Sequence, residues 1–226
     1  REALQSLRTG VDAVAARHRG SAILTVSVSP NFAAKWLVPR LGRFTAAHPD
    51  LDLRIGASAR HVDFASEGVD MAVRHGDGNW PHLDALRLCA EEIFPVCSPA
   101  LLREAPLATP GDLARHVLIH ERDTGGWRRW LDQAGIPGID ATRGPVLSDA
   151  SLAIDAAVAA QGVALARSAL VSLDLAAGRL LRPLPHALPA PFSYWIVRPR
   201  GGAVPDKVAR FRTWLIEQAA ADRPSP

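Results

Sequence analysis

Arg74 and His75 close a short apolar run, Met71-Ala72-Val73, that follows a glycine at position 68. A guanidinium at a strand end suits either of two tasks: forked recognition of a carboxylate or phosphate, or an ion pair with a neighbour such as Asp63 or Asp70. His75 reads as a hydrogen-bonding or packing imidazole rather than an acid–base catalyst. Ser29 and Asn31 flank Pro30 where an apolar run gives way to a helical pattern. N–H groups at a helix start, with the positive end of its dipole, can hold a carboxylate or phosphate, and the two side chains can add hydrogen bonds or simply cap the helix.

These residues need a frame. Val62 to Gly76 predicts a short helix broken at Gly68, then a strand apolar enough to be covered on both faces. Its polar end then lies where α/β folds place ligands. Ala22–Val28 and the alternating Leu51-x-Leu53-x-Ile55 predict strands, with a helix from Pro30 through Leu41 and Phe44 between them. Leu86 to Val96 reads as strand-like up to the break at Cys97-Ser98-Pro99. Thr109-Pro110-Gly111-Asp112 starts a short helix, Val117–Ile119 is a strand, and Gly126-Trp127 opens a helix carrying Trp127, Trp130, Leu131 and Ala134 on one side. Val146-Leu147 ends a strand before a helix capped by Ser148 and Asp149, and Val163–Ala166 is a strand. The tract from Pro183 to Pro191 reads as an extended connector, Phe192–Val197 as a strand and Val204–Ala220 as a terminal helix. Tyr194 and Trp195 are adjacent on that last strand, so one faces a ligand cleft and the other the core.

Strands and helices alternating at this spacing predict mostly parallel sheets with helical cover. There are too many units for one small sheet. The expected architecture is α/β, two similar Rossmann-like lobes with a cleft between them, hinged at Phe94 to Ser98 and at the proline-rich tract. Lobe I takes residues 20–95 and 192–226, and lobe II takes 96–191. Before them, Leu4, Leu7, Val11 and Val14 form a heptad seam on a helix over residues 1–19.

Other chemistries lack their residues. There is no Gly-x-Ser-x-Gly elbow, no Gly-x-x-x-x-Gly-Lys phosphate loop and no His-Glu-x-x-His helix, and Gly76-x-Gly78 lacks the third glycine of a dinucleotide fingerprint. His116 and His120 flank a strand pattern that separates them by roughly 13 Å, which does not suit a shared metal. Cys89 and Cys97 signal neither a disulfide framework nor a zinc site. The expectation is therefore a binding protein with no cofactor, no metal and no catalytic residue.

At 226 residues, 48% of them apolar and 22% charged, the chain can build a substantial core. Of its 26 basic residues only Lys35 and Lys207 are lysines, and the arginines are scattered, so a net charge of +3 makes no nucleic-acid footprint. No apolar run approaches the roughly 20 residues of a membrane helix, and the first segment is not signal-like; a cytoplasmic protein is expected. The sole methionine, Met71, is internal, so the chain reads as a segment of a longer product.

Four stretches together resemble the effector-binding domain of LysR-type transcriptional regulators: 31–44 (Asn31-Phe32-Ala33-Ala34-Lys35-Trp36-Leu37 onward), His48 to Arg54, Glu67 to Gly76, and Phe94 to Pro99. Gly78-Asn79-Trp80-Pro81 is similar to the branch that holds the glycine-cleavage activator and the β-lactamase regulator. The resemblance covers essentially the whole chain. It implies a two-lobed sensor of the periplasmic-binding-protein type 2 architecture, joined by a linker helix to an N-terminal winged helix-turn-helix that lies outside this sequence. It also implies pairing into dimers or tetramers, contact with DNA through that missing domain, and a small effector between the lobes. Carried onto this sequence, the effector residues are Ser29, Asn31 and Phe32, Arg60 to Asp63, Arg74 and His75, Ser148 and Asp149, and Tyr194. A periplasmic solute-binding protein for a small anionic ligand is the other reading, and the heptad helix favours the regulator.

Overall fold

A computed structural model of the chain describes residues 22–222; the heptad helix expected over 1–19 lies outside them. In chain order, β1 (Ala22–Val28) leads into α1 (Pro30–Phe32), a π turn (Ala33–Leu37), a 3-10 turn (Val38–Arg40) and α2 (Leu41–Ala47). Strands β2 (Leu51–Ala57), β3 (Met71–Gly76), β4 (Leu83–Cys89) and β5 (Glu92–Val96) follow, then α3 (Pro99–Glu104), a 3-10 turn (Pro110–Arg115) and β6 (Leu118–Glu121). The rest is α4 (Gly125–Gln133), β7 (Val146–Leu147), α5 (Ala150–Val158), β8 (Val163–Arg167), α6 (Ser168–Ala176), β9 (Leu188–Pro189), β10 (Ser193–Pro199) and α7 (Asp206–Ala221). Among the described residues, 22–33, 37–90 and 192–222 form one compact unit, and 34–36 with 91–191 form the other.

The first unit is built on a sheet ordered β2-β1-β3-β10-β4. Val28 is level with both Ala57 and Val73, so the three parallel strands end at one edge. Met71, Ala72 and Val73 are fully buried, as a strand covered on both faces must be. Pro30 starts the helical segment after Ser29. Pro39 has no N–H to donate, so the α ladder cannot run through it; the chain passes π and 3-10 turns before α2 resumes. Phe44 of α2 meets Phe211 edge-on at 4.9 Å and Trp214 at 5.3 Å, which packs α7 over α2. Polar ties set the register of this packing. The Asp70 carboxylate accepts from the Thr25 N–H at 2.9 Å and from Lys207 Nζ at 2.7 Å, and Arg40 donates to both oxygens of Asp222 at 2.7 Å.

The second unit has the sheet order β7-β6-β8-β5-β9. Trp127, Trp130 and Leu131 of α4 form its core with Leu113, Leu118, Val163 and Leu184. Asp149 caps α5, whose Ala153, Ile154 and Ala157 are buried.

The fold class is the expected α/β one, with a difference in strand direction. Both sheets are mixed: β10 runs antiparallel to β3 and β4, and β5 runs antiparallel to β8 and β9. Ser193 opposes Gly76 and Ile93 opposes Arg167, so each crossing strand enters its sheet at the edge where parallel strands end and must run back. The structure differs locally in four places. Residues 64–67 form a turn, closed by the Glu67 N–H on the Asp63 carbonyl, in place of a helix. The strand-like stretch 86–96 divides at 90–91 into β4 and β5, which belong to different sheets. Helix α6 was not foreseen: Ala169, Leu170 and Val171 are all buried, so it carries no clear polar stripe to read. The connector 183–191 also contributes the short strand β9.

Two measurements follow from this packing. A Cβ on Gly144, at φ +126°, would lie 1.9 Å from the Leu118 carbonyl oxygen, whereas Gly178, at φ +66°, has no neighbour within 4 Å. Gly144→Ala is expected to cost about 3 kcal/mol in urea unfolding, against about 1–2 kcal/mol for Gly178→Ala. The paired hydrogen bonds from Arg210, at 2.7 and 2.8 Å, hold the Asp50 carboxyl at about 2, below its ordinary 3.8. A depressed carboxylate gives stability that is present above its unfolded value and lost as pH falls. Asp50→Asn should therefore flatten the urea midpoint against pH between roughly 4 and 2.

Candidate functional site

The level ends of β1, β2 and β3 gather eight of the ten candidate residues. At the tip of β1, the Ser29 N–H donates to the Val73 carbonyl at 3.3 Å, and the Ser58 N–H after β2 donates to the Val28 carbonyl at 2.9 Å. The Ser29 side chain makes no capping hydrogen bond, and its Oγ is buried with no hydrogen-bond partner among the described residues.

Arg74 is 5% exposed, and its guanidinium faces oxygen atoms of its own unit. Nη2 donates to Ser27 Oγ at 2.6 Å and to the Arg60 carbonyl at 3.3 Å; Nη1 reaches the Val73 and Ser58 carbonyls at 3.4 and 3.5 Å. Neither Asp63 nor Asp70 takes it as an ion pair. Asp70 is held by Lys207, and Asp63 accepts from the Ala65 N–H and the Ser66 hydroxyl. Burial pulls the Arg74 guanidinium below its ordinary value, and the Glu67 charge works against that shift.

Arg60 forks onto both oxygens of Glu67 at 2.8 and 2.7 Å, and Glu67 also accepts the Asp63 N–H. Those bonds lower the Glu67 carboxyl, and the Ser66 hydroxyl lowers that of Asp63. Arg60 and Asp63 thus shape the loop between β2 and β3. Ser27 and Ser58, absent from the sequence expectations, complete the set around Arg74. Ser27 had a signal: in Val26-Ser27-Val28-Ser29 the polar residues alternate within an apolar strand.

The pleat divides the set. Tyr194 opposes His75 in register, and their rings lie 4.9 Å apart, with Phe32 at 4.6 Å from Tyr194. Arg74 is one position earlier and belongs to the other face. Tyr194 is 1% exposed, inside this ring cluster, while the partly buried Trp195 donates from Nε1 to the Gly76 carbonyl at 2.9 Å. Asn31 occupies the first turn of α1, partly buried.

Ser148 and Asp149 belong to the second unit, after β7. Asp149 Oδ1 accepts from the Ser151 and Leu152 N–H groups at 3.1 and 3.2 Å and from the Ser151 hydroxyl at 2.7 Å; the Ser148 hydroxyl reaches Oδ2 at 3.2 Å. The Ser151 hydroxyl is the main cause of a lowered Asp149 carboxyl. Burial pushes the Cys97 thiol up to about 11, so it holds little thiolate at neutral pH. Among the described residues no group of three or more His, Cys, Asp or Glu side chains is placed to hold a metal.

A model of the LysR substrate binding domain matches residues 17–220. The glycine cleavage system transcriptional activator of Escherichia coli K12 is 41% identical over 201 residues, which cover 88% of this chain and 66% of that protein. The transcriptional activator AmpR of Pseudomonas aeruginosa is 35% identical over 201 residues, covering 88% of this chain and 67% of that protein. The chain therefore spans about two-thirds of the length of these relatives. The effector domain of Pseudomonas aeruginosa AmpR superposes with a TM-score of 0.71 at 34% identity, over 89% of this chain and 97% of that one. The Citrobacter freundii AmpR effector binding domain gives 0.72 at 29% identity, over 89% and 100%.

The bonds around Asp149 predict a capping role that can be weighed. Asp149→Ala should lower the stability of the second unit by about 1 kcal/mol, and Asp149→Asn, which keeps an acceptor oxygen, by a smaller amount, both read from urea unfolding.

Proposed function

The chain belongs to the LysR substrate-binding domain family, with ligand sensing for transcription control as its function, and on that premise we propose that its effector is a small anionic metabolite. One observation carries the proposal: Arg74 is a buried cation whose hydrogen bonds all run to neutral oxygens, with no carboxylate of the described residues in ion-pair contact. A buried charge without a counter-charge is costly, and an anion arriving at these strand ends relieves that cost. The unpartnered Ser29 hydroxyl beside it supplies a donor. Asn31, with its place in the first helical turn, is the second anchor. Phe32, His75 and Tyr194 form a ring cluster on the other face of the same strand ends, where an apolar part of the effector would lie, and Arg60 and Asp63 hold the loop at the rim. Ser148 and Asp149, in the second unit, are kept as candidate effector residues in their own right.

Binding without chemistry fits the set, since the relatives are transcriptional activators and the one fully buried thiol is held protonated. A periplasmic solute-binding protein of similar architecture is not favoured by these relatives. We assign DNA contact to a region outside this sequence, self-association to the whole regulator, and the cytoplasm as its compartment; no helix of the described residues is long and apolar enough to cross a membrane.

A ligand that binds only the folded state raises its melting point. In a thermal-shift screen of amino acids, dicarboxylic acids and aromatic acids, at least one carboxylate should stabilise the protein. Its affinity should fall tenfold or more in Asn31→Ala and in Arg74→Lys, which keeps the charge but not the fork. Full affinity in the folded double variant Asn31→Ala/Arg74→Ala would overturn the assignment.

A further inference from the structure

Helix α4 sets two tryptophans against the second sheet, three residues apart, with ring centroids 5.8 Å apart and planes at 79°. Each is 1% exposed, and they differ in one respect. Trp127 Nε1 donates to the Ile119 carbonyl at 2.9 Å, whereas Trp130 Nε1 has no acceptor among the described residues. Below them on β6, His120 is also 1% exposed. Its Nε2 lies 3.0 Å from the Arg143 carbonyl oxygen, which can only accept, so Nε2 carries the proton and Nδ1 is left as an acceptor. Nδ1 meets no donor among the described residues.

Trp130 and His120 line the same cavity, of about 130 Å³, with Ile93, Leu165 and Leu188 supplying apolar walls. Four charged residues line it as well: Arg167, which pairs with Glu121 at 3.4 Å, and Asp123 and Arg129. None of the ten candidate effector residues lines it. A dry apolar cavity of about 150 Å³ holds one benzene ring. Each buried polar atom left unmet costs about 1–3 kcal/mol, so a molecule that satisfies both has a clear advantage over a plain hydrocarbon.

We infer that the second unit carries its own small-molecule site, which takes a neutral, one-ring hydroxylated compound such as a phenol. The hydroxyl accepts from Trp130 Nε1 and donates to His120 Nδ1, while the ring lies against Leu165, Leu188 and Ile93. A carboxylate of the same size is disfavoured, because it would bring negative charge to a bare imidazole acceptor. The site stands apart from the anionic-effector reading and does not depend on it.

The test is a phenol titration of the full chain with ¹⁵N-labelled tryptophan, read at the Trp130 indole N–H and assigned with Trp130→Phe. A saturable shift of that resonance is expected, unchanged in Asn31→Ala and lost in Leu165→Phe, which fills the cavity. Toluene, which lacks the hydroxyl, should bind roughly fivefold more weakly, and benzoate more weakly than phenol. The site is overturned if phenol leaves the Trp130 resonance of the folded protein in place, as it would if water satisfies both atoms. It is overturned equally if Leu165→Phe binds phenol as the parent does.

Discussion

Burying a guanidinium forces the chain to bring it acceptors, and the loop between β2 and β3 takes its course from that demand. Arg74 collects the carbonyls of Ser58 and Arg60 and the hydroxyl of Ser27. With its carbonyl fixed, Arg60 can turn its side chain outward to fork onto Glu67, which in turn accepts the Asp63 N–H. Hydrogen bonds to a charged group contribute about 1.5–3 kcal/mol each, enough to order a loop that has no helix of its own. The arrangement uses Ser27 and leaves Ser29, two residues on, with its hydroxyl uncommitted.

The same strand ends show why two neighbouring residues cannot share one role. Arg74 and His75 alternate across the sheet, so one joins a polar network and the other a stack of rings with Tyr194. The first unit thereby offers two chemically different surfaces at a single edge. In the second unit the Asp149 carboxylate, at the start of α5, is filled by local N–H and hydroxyl donors.

Much of this was legible in the sequence. Short apolar runs marked β1, β3 and β8, prolines and Asp149 marked helix starts, and the four family-like stretches led to the fold. What escaped has physical reasons. Strand-like residues resume at Ile93 after only Glu91-Glu92, and a two-residue polar break without glycine or proline does not announce that the chain changes sheet at 90–91. Helix α6 is buried through Ala169, Leu170 and Val171, which removes the periodicity that reveals a helix. The partners of Arg74 are largely backbone carbonyls, and a carbonyl leaves no trace in residue identity. The candidate residues could be named for the same reason that their bonding could not: side-chain type is written in the chain, whereas three-dimensional acceptors are not.

The place of β10 carries a consequence for how the protein is made. It is inserted between β3 and β4, and β4 has no other neighbour in the sheet order. During synthesis β4 therefore emerges long before the strand that will hold it, with more than a hundred intervening residues still to come. Apart from residues 34–36, the second unit is one continuous segment and can close as soon as 91–191 are made, while the first must wait for residues 192–222. Until then the unsatisfied edges of β3 and β4 are the surfaces that a nascent chain of this design must keep from pairing elsewhere.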